Sequence, residues 1–407
     1  MKGILMTILM LSVVLFACDN KTKPNIIKEA KPVKFTHFQE RQTMVVSTVK
    51  YEGFIIGADF DREEVYIQAY SQLDRNYALL IVSILTGEVK KEMKLVKGGF
   101  DGPTDFYNPS YMQFVNGYYI IVDQYHKIMV YDEKLNYLYT NMFYVLRYFI
   151  DFFPMDKKFG FVIGETFNGL EFNMNFIRLF CMQINKKPTH IRDLYAFKFN
   201  SLGLKNRKSR EYSFKGSIWP SGRGFEKDGK IYFANYNEKN YYVFDLKTTE
   251  MTSFYLDYIK PKIFSQKDVE KLAYLYSDGS LERILKKSGK KRAVEHYPDP
   301  IYHFGVFDVG KKKIGIIGDL DINNFTFRLD ILDAVSGTYL MSIRLPFGDG
   351  LLQSISTSAR GLHPLYFDID KGYYLWNNAE GEDLIDKTQI TRFRILGEEN
   401  RNPAKVK

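Results

Sequence analysis

With 407 residues, 30 tyrosines and 33 phenylalanines, the chain is longer than one hydrophobic core usually spans, so two domains or a large repetitive architecture is expected. Its formal charge of +9 is spread along the whole length, which argues against the concentrated basic surface that nucleic acid requires; anionic lipid or glycan is the better use of that charge. The even scatter of Tyr and Phe from Tyr51 to Phe393 suits pleated, half-buried surfaces and points to an all-β fold.

At the N-terminus, Lys2 precedes the uncharged run ILMTILMLSVVLFA, residues 4–17. A helix needs about 20 apolar residues to cross a bilayer, so residues 1–17 read as a targeting signal and not as a permanent span. The run ends on Leu15, Phe16 and Ala17, followed by Cys18. This resembles the lipobox of bacterial lipoproteins. The resemblance implies that the Cys18 thiol carries diacylglycerol, that the bond before it is cut, and that Cys18 begins the mature chain. Each buried methylene contributes about 0.8 kcal/mol, and two or three acyl chains hold firmly where one holds marginally. The implied place is the bacterial cell envelope, periplasmic or surface-exposed, with the membrane as a partner through lipid. The competing reading is a cleaved secretory peptide in which Cys18 is incidental. Residues 18–32 are polar, with prolines at 24 and 32, and read as a flexible tether too poor in apolar surface to fold alone.

From residue 33 to 396 one pattern recurs: a strand ending in an apolar residue plus Asp or similar, a short polar or glycine turn, then a second strand. The copies are LLIVSILTGEVKKEMKL (79–95), IMVYDEKLNYLYTNM (128–142), FCMQINKKPTHIRDLYAF (180–197), YYVFDLKTTEMTSFYL (241–256) and LDILDAVSGTYLMSIRL (329–345), with a truncated sixth, ITRFRIL (390–396). Upstream of most lies another hairpin: FVNGYYIIVD (114–123), FEKDGKIYFAN (225–235), DVGKKKIGIIGD (308–319) and DIDKGYYLWN (368–377). Two hairpins per unit make a four-stranded antiparallel sheet that cannot cover its own apolar faces, and such units stack radially into a β-propeller. Six blades are countable and seven remain possible. MVVSTV (44–49) is the candidate strand for closing the ring beside the C-terminal strands.

The unit at 98–140, with Gly102, Pro103, Pro109, Val122, Asp123, Tyr131 and Asp132, is similar to a blade of the six-bladed propeller lipoproteins, in which a G-P-G-E-like turn leads to a strand ending in V-D and another ending in aromatic-D. Thr104 and Asp105 stand where G-E is usual. The resemblance implies a fold more than an activity.

Residues 261–296 break the pattern. Ser265 and Asp268 read as a capping box, and Val269, Leu272, Ala273 and Tyr276 recur at helical spacing, so a small helical insertion is expected, serving recognition or covering the channel mouth. Residues 397–407 form a polar tail. Cys181, in the apolar stretch RLFCMQI, has no partner once Cys18 carries lipid and reads as a core residue.

Chemistry is weakly signalled. Aspartates at strand ends, with Asp123, Asp308 and Asp319 as candidate funnel residues and Asp132 and Asp245 beside them, would hold a cation or act as acid and base only if several converged; otherwise they satisfy turn backbone groups. DLDINN (319–324) matches the start of a calcium loop but lacks its glycine and final glutamate, and reads as a turn. The six histidines show no zinc spacing, and no nucleophile elbow, phosphate loop or dinucleotide fingerprint occurs. No catalytic residue, metal or cofactor is therefore assigned. KNRKSR (205–210) and KKSGKKR (286–292) read as solvated loops, or as contacts to an anionic surface. The expectation is a membrane-tethered monomer whose propeller binds or scaffolds a protein or glycan. The alternative is a hydrolase or lyase acting on a sugar or lactone in the funnel.

Overall fold

VNGY and KDGK make tight hairpin turns. In the computed structural model, Asn116 and Gly117 have φ of 50° and 86°, and Asp228 and Gly229 have φ of 51° and 74°, the paired left-handed conformations of a two-residue turn that matches strand twist. The structure describes residues 25–27, 35–36, 38–46, 52–71, 76–97, 105–106, 109–123, 127–142, 147–155, 158–166, 174–182, 189–198, 225–234, 239–262, 302–303, 305–321, 323–324, 326–346, 365–380 and 385–395. Cys18, the signal, the polar tail, both basic clusters (205–210 and 286–292) and the helical insertion beyond Lys262 lie outside them. No helix among the described residues is long and apolar enough to cross a membrane.

Three strands come first: β1 (Asn25–Ile27), β2 (Phe35–Thr36) and β3 (Phe38–Val46). A sheet follows from β4 (Glu52–Asp59), β5 (Glu64–Ser71), β6 (Asn76–Ser83) and β7 (Val89–Lys97), with the short β8 (Asp105–Phe106) parallel to β7. The next comprises β9 (Pro109–Val115), β10 (Tyr118–Asp123), β11 (Lys127–Asp132) and β12 (Tyr137–Met142), and the one after it β13 (Arg147–Met155), β14 (Lys158–Thr166), β15 (Met174–Met182) and β16 (Thr189–Lys198). Then come β17 (Phe225–Lys227), β18 (Lys230–Ala234), β19 (Asn240–Asp245) and β20 (Met251–Leu256), followed by β21 (Val306–Asp308), β22 (Lys313–Asp321), β23 (Thr326–Asp333) and β24 (Tyr339–Pro346). The last sheet is β25 (Tyr366–Asp368), β26 (Tyr373–Glu380) and β27 (Ile385–Ile395), completed by β3. Five of these four-stranded cores are antiparallel meanders, and in the last sheet β3 pairs antiparallel with β27.

The first strands of successive sheets lie side by side. β4 adjoins β9, β9 adjoins β13, β13 adjoins β17, β17 adjoins β21 and β21 adjoins β25, while β26 and β27 return to β4. First strands gathered at a centre, with fourth strands outermost, define an all-β propeller of four-stranded antiparallel sheets. Its apolar cores lie between neighbouring sheets. Ile56, Tyr66, Leu79 and Ile81 meet Met112, Tyr119, Ile121 and Met129 in one cluster; Tyr241, Val243 and Phe254 meet Ile314, Ile316 and Leu332 in another. Alternation along β10 sends Tyr119 and Ile121 to one side and Ile120 and Val122 to the other, so a strand buried on both faces reads as a continuous apolar run. Gly57 permits the closest approach: a methyl there would overlap the Met112 carbonyl oxygen of the neighbouring sheet.

Two expectations at the N-terminus meet the described strands. The strand pairing with the C-terminal β27 is Phe38–Val46, with Thr43 opposite Thr391; it includes residues 44–46 of the expected 44–49 and begins six residues earlier. Within the residues 18–32 read as a flexible tether, Asn25–Ile27 pairs in parallel with the outer strand β20, and just beyond that segment Phe35–Thr36 does the same on β24. Backbone pairing to an open sheet edge supplies what the segment's side chains lack.

Candidate functional site

The inner strands β4, β17, β21 and β25 all end at the same side of the wheel, in turns rich in charge. β17 delivers Lys227, β21 delivers Asp308, β25 delivers Asp368, and β4 delivers Asp59. The turns that follow them form the mouth of the propeller on this side.

Its organisation is a chain of cations that reach from one blade to the next. Lys227, only 11% exposed, donates from Nζ to Asp308 Oδ1, to the Gly310 carbonyl and, at 3.3 Å, to the Lys313 carbonyl. Lys313 Nζ pairs with Asp370 Oδ1 in the following blade, and the Lys311 N–H donates to the other oxygen of Asp370 at 3.0 Å. Lys371 Nζ donates to the Phe60 carbonyl at 2.7 Å and to Asp61 Oδ1 at 2.9 Å. Arg62 then reaches onward: Nε pairs with Glu64 at 3.1 Å, Nη2 with Glu133 at 3.1 Å, and Cζ lies 3.7 Å from the Phe114 ring centre. Four successive blade junctions are thus latched by a basic residue in or beside the first hairpin turn. Gly310 stands at φ 129°, a conformation that L side chains rarely adopt, and Asp370 Oδ2 lies 2.6 Å from where its Cβ would stand.

Crowding sets the electrostatics here. The Asp308 side chain is 49% exposed, yet burial raises its carboxyl above the ordinary range, against the pull of Lys227 and the Gly310 N–H. Burial also raises Asp59 and Glu226, each partly offset by backbone N–H donors. Tyr119 is pushed up to about 12, first by burial and then by Glu64, whose carboxylate accepts its hydroxyl hydrogen bond at 3.1 Å. Asp61 is held below the ordinary range by Lys371.

The three funnel candidates do not share this mouth. Asp308 ends β21 opposite Ile314, whereas Asp319 stands five residues further along β22 opposite Arg328, about 15 Å away at strand rise. Asp319 accepts from Arg344 Nη2 at 3.0 Å. Asp123 ends β10 at the far end from the Asn116–Gly117 turn, buried and opposite Lys127 in register. Asp132 and Asp245 serve their own turns, accepting from Lys134 and Asn136 N–H, and from Lys247 and Thr248 N–H. DLDINN forms a turn in which Asp321 accepts from Asn323 and Asn324. Among the described residues no three His, Cys, Asp or Glu side chains gather as a metal site. The latching cations Lys227, Lys313, Lys371 and Arg62 were not singled out by sequence reasoning. Their signal is a basic residue in the first turn of successive units: EKDGK, DVGKKK, DIDKG and DFDRE.

No protein-family model and no curated protein matches the chain. Among solved structures it is similar to a member of the DUF4221 family from Bacteroides vulgatus, with a TM-score of 0.49 and 10% identity over 89% of this chain and 99% of that one. It is also similar to a candidate exported protein of Bacteroides fragilis, at a TM-score of 0.43 and 12% identity over 91% and 99%, and to BamB of Moraxella catarrhalis, at 0.36 and 9% over 88% and 100%. The propeller assignment stands on the strand order and inner-strand neighbours of this chain.

Proposed function

We propose that the protein is an envelope lipoprotein, cut after Ala17 and held by acylated Cys18, whose six-bladed propeller is a binding or scaffolding module for a protein or glycan. Six sheets joined inner strand to inner strand support a six-bladed count. The observation that carries the binding reading is the use made of the charged groups: the latching cations at the mouth tie blades together, and the candidate carboxylates lie at opposite ends of the wheel, each beside a cation or turn backbone. Such a collar makes a rigid platform. Acid, base or metal chemistry needs groups that converge, and Asp308 and Asp319 do not.

The test is isolation of the protein from detergent-solubilised envelopes after brief cross-linking, with mass spectrometry of the N-terminal peptide and of whatever co-isolates. The expected result is a diacylated Cys18 at the N-terminus and one recurrent protein or glycan partner. An uncut precursor with a bare Cys18 overturns the anchor, and repeated isolation alone overturns the binding role. Measuring glycan binding at low and high salt adds a second criterion, since an electrostatic contact weakens as ionic strength rises.

A further inference from the structure

We propose that the propeller meets the membrane at one place on its circumference, the outer rim of the β17–β20 blade, and is held there in a fixed orientation by β1. This rests on the anchor reading above. β1 pairs in parallel with β20, placing Asn25 opposite Phe254, Ile26 opposite Tyr255 and Ile27 opposite Leu256. The chain then passes to the next blade, where β2 lies on β24, and to the one after, where β3 pairs with β27. β1, β2 and β3 thus act as a strap on the outer edges of three consecutive blades.

The strap shortens the leash. A tether free up to Phe35 would give 17 residues of reach from Cys18, about 60 Å fully extended, whereas one pinned at Asn25 gives seven, about 25 Å. It also fixes the point from which the leash starts. By the order of inner strands, β4, β9, β13, β17, β21, β25, the β4–β7 blade stands three places from the β17–β20 blade in either direction. The turn between β19 and β20, with exposed Lys247, Thr248 and Thr249, is therefore near the bilayer, and the turn between β6 and β7, with exposed Leu85 and Thr86, is far from it. The partner is the lipid surface that holds the acyl chains.

The experiment uses the full-length protein, extracted from the producing cells and reconstituted into phosphatidylethanolamine and phosphatidylglycerol vesicles containing a quencher-bearing lipid. Cys181→Ser removes the second thiol, and a fluorophore is placed through Thr248→Cys or Thr86→Cys. The expected result is quenching several-fold stronger at position 248 than at 86, with that contrast lost in Ile26→Pro, which removes a backbone donor from β1, while the protein still floats with the vesicles. Equal quenching at both positions in the unmodified strap, or a contrast that survives Ile26→Pro, overturns the inference while leaving the anchor intact. Failure to float overturns the anchor reading and the inference with it.

Discussion

Lys227→Met removes one ammonium from the mouth and leaves its stem. In the folded protein that ammonium serves the Asp308 carboxylate and two carbonyls of the neighbouring blade. Breaking a fully buried ion pair costs about 3–5 kcal/mol, which sets a ceiling. Asp308 is 49% exposed and rehydrates in the variant, so the expected loss is about 2 kcal/mol at pH 7. The pH dependence follows from the direction of the Asp308 shift. Burial already raises its carboxyl in the fold, so its contribution favours the folded state below the unfolded carboxylate value of about 4 and is lost as pH rises through the raised folded value. Without Lys227 the folded value rises further and the ionised form is penalised more. The gap between variant and parent is therefore widest at pH 7 and shrinks to under about 1 kcal/mol near pH 3.5, where Asp308 is neutral in both. Urea unfolding of both proteins at the two pH values measures this, and Lys227→Met with Asp308→Asn recovers part of the loss at pH 7. An equal deficit at both pH values, or none at pH 7, refutes the latch.

Three further outcomes are expected. Gly57→Ala drives a methyl into the Met112 carbonyl oxygen and separates adjacent inner strands, costing about 3 kcal/mol; a thermal midpoint unchanged from the parent contradicts that packing. Tyr241→Phe removes a buried hydroxyl with no hydrogen-bond partner among the described residues and keeps the stack on Phe254 at 4.8 Å, so stability holds or improves by up to about 1 kcal/mol, and a loss of that size shows that the hydroxyl is used. Asp333 is held below the ordinary carboxylate range first by the Ser336 N–H and then by its hydroxyl, so its contribution is present above about pH 4 and disappears as pH falls through the lowered folded value. Asp333→Ala accordingly costs about 1 kcal/mol at pH 7, and unfolding curves that still differ as much at pH 2.5 contradict the turn's dependence on the charge.

The hairpins were legible because their turns carry their own instructions. Asn116–Gly117 and Asp228–Gly229 dictate a two-residue turn wherever they occur, and runs such as YYIIVD can be satisfied only by sheets on both sides. The closing strand is legible only over its apolar end, for the converse reason. FQERQTMVV in β3 is the outermost strand of its sheet, and its run QERQT carries neither the alternation nor the apolar run by which a strand is read from sequence. β1 left no trace because a three-residue parallel addition depends on the backbone of β20 rather than on any periodicity of Asn-Ile-Ile. The aspartates show the limit most plainly. Asp132, Asp308 and Asp319 each follow apolar strand residues, yet one caps a turn, one lies at the mouth and one at the opposite end. Strand direction decides between those fates, and direction is a property of the assembled sheet. For the same reason the turn lysines were visible while the blade each one reaches was not.

Ring closure carries everything else, since a wheel needs its first and last strands in one sheet, and disulfide trapping reads that pairing directly. Thr43 and Thr391 are Cα partners across β3 and β27, within the Cα separation of about 4.4–6.8 Å that a disulfide spans. In a chain carrying Cys18→Ser and Cys181→Ser, the pair Thr43→Cys and Thr391→Cys is expected to oxidise rapidly within one molecule and to leave the fold's circular dichroism unchanged. Thiols that stay reduced under mild oxidant, or that link only between molecules, contradict the closed propeller.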